Sequence, residues 1–349
     1  MDLEVEASWF LQFLHPRYCF LVFSFVICNS LLLYLVRLKP WCNCEICHGY
    51  LTSNWSKQFD NLCDWYAHLL KNSPSKTIHI HVLRNTITAN PDNVEYMLRT
   101  RFENYPKGKP FSTILGDFLG RGIFNVDGDL WSFQRKMANL ELNKSSIVLY
   151  AFNIFNCEIK SRLVPLLYLV AGKKDGVLDL QDVFRRFSFD CICQISFGLD
   201  PSCLELSLPI MRLYPPIQYD SKFCQEDDVL PDGTYVRGGT RVTYHPYAMG
   251  RIEEIWGPDC LEFRPERWLK DGVFFPANPF KYPVFQAGVR VCLGKEMALV
   301  ELKCLALSLV RRFHIDLATP GRSPLFSPGL TSSFRGGLPV LVRERETPL

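Results

Sequence analysis

The residues best suited to chemistry stand in one short run near the C-terminus, Phe285-Gln286-Ala287-Gly288-Val289-Arg290-Val291-Cys292-Leu293-Gly294. A cysteine ligates a metal as its thiolate, and a thiolate persists only where its charge is stabilised. Cys292 stands just ahead of an apolar, helix-like run from Lys295 to Phe313, whose first turn offers unpaired backbone N–H groups and the positive end of a helix dipole. Gly288 and Gly294 let the backbone fold tightly around the sulfur, and Arg290 carries a two-pronged donor suited to a carboxylate. Phe285 is a candidate to keep water from the sulfur, which tunes the potential of a metal bound there. Taken alone, a cysteine in a glycine turn reads as a buried free thiol. The ligand reading rests on the run as a whole.

A second run, Phe124-Asn125-Val126-Asp127-Gly128-Asp129-Leu130-Trp131-Ser132-Phe133-Gln134-Arg135-Lys136, places Trp131 and Arg135 four residues apart, and so on one face of a helix. By itself the pair reads as a cation stacked near an aromatic on a surface helix. A third run, Phe263-Arg264-Pro265-Glu266-Arg267-Trp268, lies upstream of the cysteine run.

In residue type, order and spacing, the three runs resemble the cytochrome P450 superfamily. The cysteine run is similar to its haem-ligand loop, the Trp-x-x-x-Arg pair to the helix that holds a haem propionate, and the third run to its Pro-Glu-Arg-Phe segment. The resemblance implies a haem whose iron takes Cys292 as axial ligand, an electron-rich thiolate favouring cleavage of dioxygen. It further implies Trp131, Arg135 and Arg290 on the propionates, Phe285, Gly288 and Gly294 shaping the cradle, and Arg212 and Arg267 as structural support. Electrons would come from NADPH through a NADPH-cytochrome reductase, with Lys136, Lys281 and Lys295 as candidates to dock an acidic partner on the sulfur side. Arg212-Leu213-Tyr214-Pro215-Pro216 and Gln225-Glu226-Asp227-Asp228-Val229-Leu230-Pro231-Asp232-Gly233-Thr234 narrow the likeness to plant hydroxylases of fatty acids and of jasmonoyl-amino acid conjugates. That likeness runs from about Lys39 to Val340. It implies hydroxylation of a long carboxylated substrate at or near its terminal carbon, with substrate contacts from Phe111 to Gly122, Pro216 to Phe223 and Pro328 to Leu338. The expected fold is that of the superfamily, mostly helical in an α+β arrangement.

The chain departs from the family pattern in its middle. The long central helix with an Ala/Gly-Gly-x-Asp/Glu-Thr-Thr motif, whose acid and alcohol deliver protons to bound dioxygen, is missing. The run Ala171-Gly172-Lys173-Lys174-Asp175-Gly176 has no threonine and reads as a turn. The family's Glu-x-x-Arg should put Glu three residues before Arg212, and Pro209 stands there. Removing the acid from a buried Glu-Arg-Arg triad costs about 3–5 kcal/mol. Ser207-Leu208-Pro209-Ile210-Met211-Arg212 therefore reads as a join across a deleted segment. The alternative to an active hydroxylase is a truncated remnant that at most binds haem.

Composition agrees with a folded chain: 349 residues, 48% hydrophobic and 13% aromatic, supply a large core. A net charge of +3, evenly spread, gives no footprint for nucleic acid. Fourteen cysteines scattered along a long chain read as reduced thiols rather than a disulfide framework. The uncharged stretch 18–36 is long enough to cross a bilayer as a helix, with Arg37 and Lys39 behind it. The expected organisation is a luminal N-terminus at 1–17, a transmembrane anchor at 18–36, a linker at 37–60, and the two parts of a cytosolic haem domain at 61–208 and 209–349. The family likeness puts the anchor in the endoplasmic reticulum membrane.

Within the linker, Cys44-Glu45-Ile46-Cys47-His48 fits the Cys-x-x-Cys-His pattern of covalent haem attachment, but no partner axial ligand accompanies it. Cys42 adds a third thiol, yet a second ligand pair at zinc-finger spacing is missing, so free thiols are expected there. Elsewhere, alternation predicts a hairpin over Thr77–Leu83 and Thr86–Ala89, and Asn90-Pro91 predicts the start of a helix running to Arg101. Helical periodicity covers Ser145–Val170 and Leu178–Phe197. Strands and turns follow Pro215, with a tight turn at Pro231-Asp232-Gly233, and helix returns only after Gly294.

Overall fold

A computed structural model describes residues 16–37, 42, 44–142, 144–173, 176–197, 213–271, 273–319, 325–329 and 331–346. Two compact units emerge. One comprises the described residues up to Thr52 together with His81–Leu83; the other comprises Ser53–Ile80 and the described residues from Arg84 onward.

The first unit contains helix α1 (Pro16–Arg37) and helix α2 (Glu45–Leu51). α1 coincides with the expected anchor, and Phe20, Leu21, Val22, Phe23 and Phe25 are exposed along it. No helix among the described residues is long and apolar enough to cross a membrane. Polar Ser24, Asn29 and Ser30 interrupt the apolar run, and the Asn29 amide bonds back to the Phe25 carbonyl at 2.9 Å. The stretch expected as linker is structured in part, because α2 forms there with the Cys44 sulfur accepting from the Cys47 amide at its N-terminus.

The second unit opens with helix α3 (Leu62–Asn72), capped by the Asn61 side chain, and the hairpin strands β1 (Thr77–Ile80) and β2 (Asn85–Thr88). Helices α4 (Gly128–Leu142) and α5 (Ser145–Glu158) follow, then strand β3 (Val177–Asp179) and helix α6 (Leu180–Phe197). Past residues 198–212 come strands β4 (Asp220–Phe223) and β5 (Arg241–Tyr244), then helix α7 (Lys295–Val310) and strands β6 (Phe313–Leu317) and β7 (Pro339–Glu344). A four-stranded sheet runs β1-β2-β5-β4. The hairpin pairs Thr77 with Thr88, β2 and β5 run parallel with Asn85 beside Arg241, and β4 lies antiparallel with Asp220 beside Tyr244. A second sheet runs β6-β7-β3.

The main core forms where apolar residues at helical spacing converge: Ile154 and Phe155 from α5, Phe184 and Phe187 from α6, Leu305 and Leu309 from α7. Phe313, Val340 and Val342 of the second sheet close it. Full burial of each such side chain contributes about 1.5–3 kcal/mol, so α7 is fixed along its length and its N-terminus is held where the cysteine run ends. The mostly helical α+β expectation thus holds, with three local differences. Leu178 and Asp179, read as the start of α6, pair instead with Val340 and Pro339. The helix opened by Asn90-Pro91 keeps α geometry to Glu95 and widens to a π-turn over Tyr96–Thr100. Short helices Pro246–Met249 and Glu253–Trp256 precede Gly294, where only strands and turns were expected.

Candidate functional site

The cysteine run folds as two 3₁₀ turns, Pro283–Phe285 and Gly288–Arg290, ahead of α7. The Cys292 amide donates to the Phe285 carbonyl at 2.8 Å, closing the loop, and Cys292 is exposed. Gly288 has a φ of +63°, and a Cβ there would meet the Leu98 carbonyl oxygen at 2.1 Å. The need for glycine at this position therefore comes from the backbone of the π-turn rather than from the sulfur. At Gly294 a Cβ would stand 3.9 Å from Cys292 Sγ, an ordinary contact, so this glycine leaves space beside the sulfur without being forced by it.

Arg290 is buried, and its guanidinium lies 4.4 Å from the Trp131 ring centre and 5.7 Å from that of Phe102. It pairs with Asp127 and donates to the Val126 carbonyl at 3.3 and 3.4 Å, while its Nε is buried with no partner among the described residues. Asp127 in turn accepts from the Lys107 and Gly108 amides at 3.0 and 2.9 Å. Trp131 is buried on α4 against Phe102, with ring centres 5.6 Å apart. Arg135, one turn further and close to Cys292, is partly buried, which pulls its guanidinium below the usual range. Trp131, Arg135, Arg290 and Cys292 thus converge from two distant parts of the sequence.

A buried polar network missed in the sequence supports this loop. Asp220 accepts from Lys107 Nζ and Lys222 Nζ, both at 2.7 Å, from the Tyr244 hydroxyl at 3.0 Å and from Gln286 Nε2 at 2.9 Å. The single Tyr244 hydroxyl proton is shared between Asp220 and Gln286 Oε1, and Gln286 holds a positive φ of 61° between the two turns. Burial acts to raise the Asp220 carboxyl, but the two ammonium groups outweigh it and keep the group ionised well below the usual carboxylate range. Burial pulls the Lys222 ammonium down to about 7 against the pull of Asp220. Asp220 and Lys222 fall within Pro216–Phe223, expected to touch substrate; their side chains are instead committed to the cysteine loop. The signal available was β4 itself, where Asp220 and Lys222 occupy the inward positions of an alternating strand.

Arg267 donates to the Trp256 carbonyl at 2.6 Å and the Asp259 carbonyl at 3.1 Å, and pairs with the Asp259 carboxylate at 2.7 Å. Its Nε is buried and has no partner among the described residues. Arg212 and Pro209 lie outside the described residues. Of the docking lysines, Lys136 and Lys295 are exposed, whereas Lys281 is drawn over the Trp256 ring at 4.6 Å.

The donor set fits one face of a haem. A soft thiol is exposed at the N-terminal end of a long helix, glycine leaves room beside it, and a buried guanidinium beside an indole retains an unused donor. The residues that would hold the group are Cys292 for the iron and Trp131, Arg135 and Arg290 for its carboxylates.

The family model described as Cytochrome P450 matches residues 55–207 and 210–333. The chain is 41% identical to "Cytochrome P450 94C1" of Arabidopsis thaliana, an alignment covering 93% of this chain and 98% of that protein. It is 33% identical to "Cytochrome P450 94B3" of the same plant, over 84% of this chain and 90% of the relative. The first alignment extends over 484 positions against 349 residues here, as an internal deletion requires, and the family match breaks at the join expected around Pro209. Among solved structures, CYP175A1 from Thermus thermophilus superposes with a TM-score of 0.58 at 19% identity, over 74% of this chain and 89% of that one. A six-coordinated cytochrome P450, also from Thermus thermophilus, gives 0.59 at 20% identity, over 74% of this chain and 92% of that one.

Proposed function

The chain belongs to the cytochrome P450 family, and on that premise we propose that it is a haem-thiolate monooxygenase of the plant fatty-acid and jasmonoyl-conjugate hydroxylase group, internally shortened so that the sulfur side of its site persists without the oxygen-activating wall. The observation that carries this reading is the convergence of Cys292, Trp131, Arg135 and the buried Arg290. Cys292 offers the axial sulfur, and the closed Phe285–Cys292 turn fixes its direction. Arg290 is preorganised by Asp127 and Trp131, so it holds a carboxylate at little cost in side-chain entropy. When bound, haem supplies dioxygen binding and the oxidation of a C–H bond. Lys136 and Lys295 present positive charge to a reductase carrying electrons from NADPH. The proposal includes action at the endoplasmic reticulum membrane, supported by the exposed apolar side chains of α1.

The deciding experiment is the reduced carbon-monoxide difference spectrum of microsomes containing the chain, followed by turnover of a long-chain fatty acid or a jasmonoyl-amino acid conjugate with added reductase. Thiolate ligation is expected to give the strongly red-shifted Soret band, and Cys292→Ala to abolish it. Detectable protein without that band refutes the haem reading. A second reading, a remnant that binds haem without turning over substrate, is favoured by the missing acid and threonine and by the Nε of Arg267, which has no partner among the described residues. A thiolate band with no hydroxylated product establishes it.

A further inference from the structure

The notable cluster outside the haem cradle lies in the first unit. Cys42, Cys44 and Cys47 gather around His81, with all four ligand atoms within 4.8 Å of one another. His81 Nδ1 stands 3.2 Å from Cys42 Sγ, 3.9 Å from Cys44 Sγ and 4.0 Å from Cys47 Sγ. Cys47 is fully buried while Cys42 and Cys44 are half-buried, so the cluster closes inward and opens on one side. The Cys47 amide donates to Cys44 Sγ at 3.4 Å, which sets the Cys-x-x-Cys turn at the start of α2 with two sulfurs facing one point. His48, the histidine of the Cys-x-x-Cys-His pattern, is exposed and stands outside the cluster.

We propose that Cys42, Cys44, Cys47 and His81 form a structural zinc site. A tetrahedral zinc ion with Zn–S near 2.3 Å and Zn–N near 2.0–2.1 Å requires ligand atoms roughly 3.5–3.8 Å apart along its edges. The 3.2–4.0 Å separations around His81 bracket that range. Three thiols and one imidazole make a closed set of four, which leaves no open position for water and marks a structural rather than catalytic ion. Sulfur-rich tetrahedral sets select zinc over oxygen-loving cations such as magnesium or calcium. Cysteine spacing alone hides the site, because the fourth ligand comes from 34 to 39 residues further along and has no pair of its own. Bound there, the ion ties the segment that follows α1 to the His81–Leu83 turn, independently of the haem cradle. Closing so long a loop with a metal removes much of the freedom of the intervening chain.

The test uses the full chain purified in detergent from zinc-supplemented cells, with metals counted by mass spectrometry. About one zinc per chain is expected. Cys44→Ala and His81→Ala should each lower this at least about tenfold, whereas His81→Cys, which restores four ligands, should retain it and Cys157→Ala should not alter it. Because a variant that fails to fold would also lose metal, thiol alkylation of the unaltered chain provides a second reading. Cys42, Cys44 and Cys47 should resist alkylation together until a chelator is added, while exposed Cys28 and Cys157 react throughout. The proposal is overturned if the unaltered chain carries no zinc, if another metal fills the set, or if zinc survives His81→Ala. It is equally overturned if two of the three thiols are recovered as a disulfide or alkylate regardless of chelator.

Discussion

A methyl group on Gly288 would sit 2.1 Å from the Leu98 carbonyl oxygen, on a backbone whose φ is +63°. Gly288→Ala is therefore expected to destabilise the fold by about 1–3 kcal/mol from the backbone strain alone, with the clash added, and to lower the haem-to-protein ratio. Gly294→Ala, with only an ordinary contact to Cys292 Sγ, should leave both nearly unchanged; urea denaturation and haem content distinguish the two glycines. A second residue governs pH dependence. His245 is fully buried among the rings of Tyr66, Tyr219 and Tyr247, near Arg251, and accepts from the Ala248 amide at 3.2 Å. Burial pulls its imidazole from 6.5 down to about 3, with the charge of Arg251 acting in the same direction. Between those values the unfolded chain holds a proton that the folded chain refuses, so stability is present above about 6.5 and lost as pH falls. The loss approaches about 1.4 kcal/mol per pH unit. His245→Asn keeps a capping acceptor without a titrating ring, and its stability should fall less steeply from pH 6.5 to 4 than that of the unaltered chain; equal slopes would refute this role.

At the scale of elements, the cysteine loop is only as firm as the helix it feeds. α7 is anchored through Leu305 and Leu309 to α5 and α6, and Phe187 lies fully buried at their meeting point. Phe187→Ala should cost about 3–5 kcal/mol by leaving a cavity. Thermal melting should record the loss, and the thiolate band should weaken in step if helix packing holds the ligand in place. α5, α6 and α7 were legible in the sequence because each buries one stripe at a spacing of three and four residues. The hairpin was legible through its alternation, and Asn90 bonds the Asp92 amide at 3.0 Å, as the Asn-Pro signal requires. Two kinds of element were not legible. β3 takes its hydrogen bonds from a strand more than 150 residues away, so Leu178 shows no local sign of pairing. The π-turn at Tyr96–Thr100 is the other, since it interrupts a stretch whose spacing reads as one continuous helix. The cradle divided in the same way: Cys292, Trp131 and Arg290 stand in readable runs, whereas Asp220 and Lys222 matter only through neighbours the fold brings to them.

For the whole molecule, the question is what survives the loss of a middle segment. The packing of α5, α6 and α7 and the buried group of Asp220, Lys107, Lys222, Tyr244 and Gln286 are built entirely from residues this chain retains. On the proposed reading Arg267 is where the loss would be felt, since its Nε is buried with no partner among the described residues while its other nitrogens bond Asp259 and the Trp256 carbonyl. Binding haem and turning over substrate should therefore separate. Haem binds the folded state alone and stabilises it by mass action, so the loaded chain should melt above the haem-free chain, and Cys292→Ala should erase much of that gap. Turnover depends on the proton-delivering acid and threonine, and positioned proton transfer contributes about 10²–10⁴-fold to rate. A chain in which a segment bearing a Glu-x-x-Arg acid and an acid-Thr-Thr helix is restored at the Leu208–Pro209 join should thus hydroxylate at least about 10²-fold faster than this chain at equal haem content. Its Arg267 should also regain a partner, raising the melting temperature. Equal rates in the two chains would mean that the oxygen-activating wall is supplied by residues already present, and would overturn the reading of this chain as a haem site with one side missing.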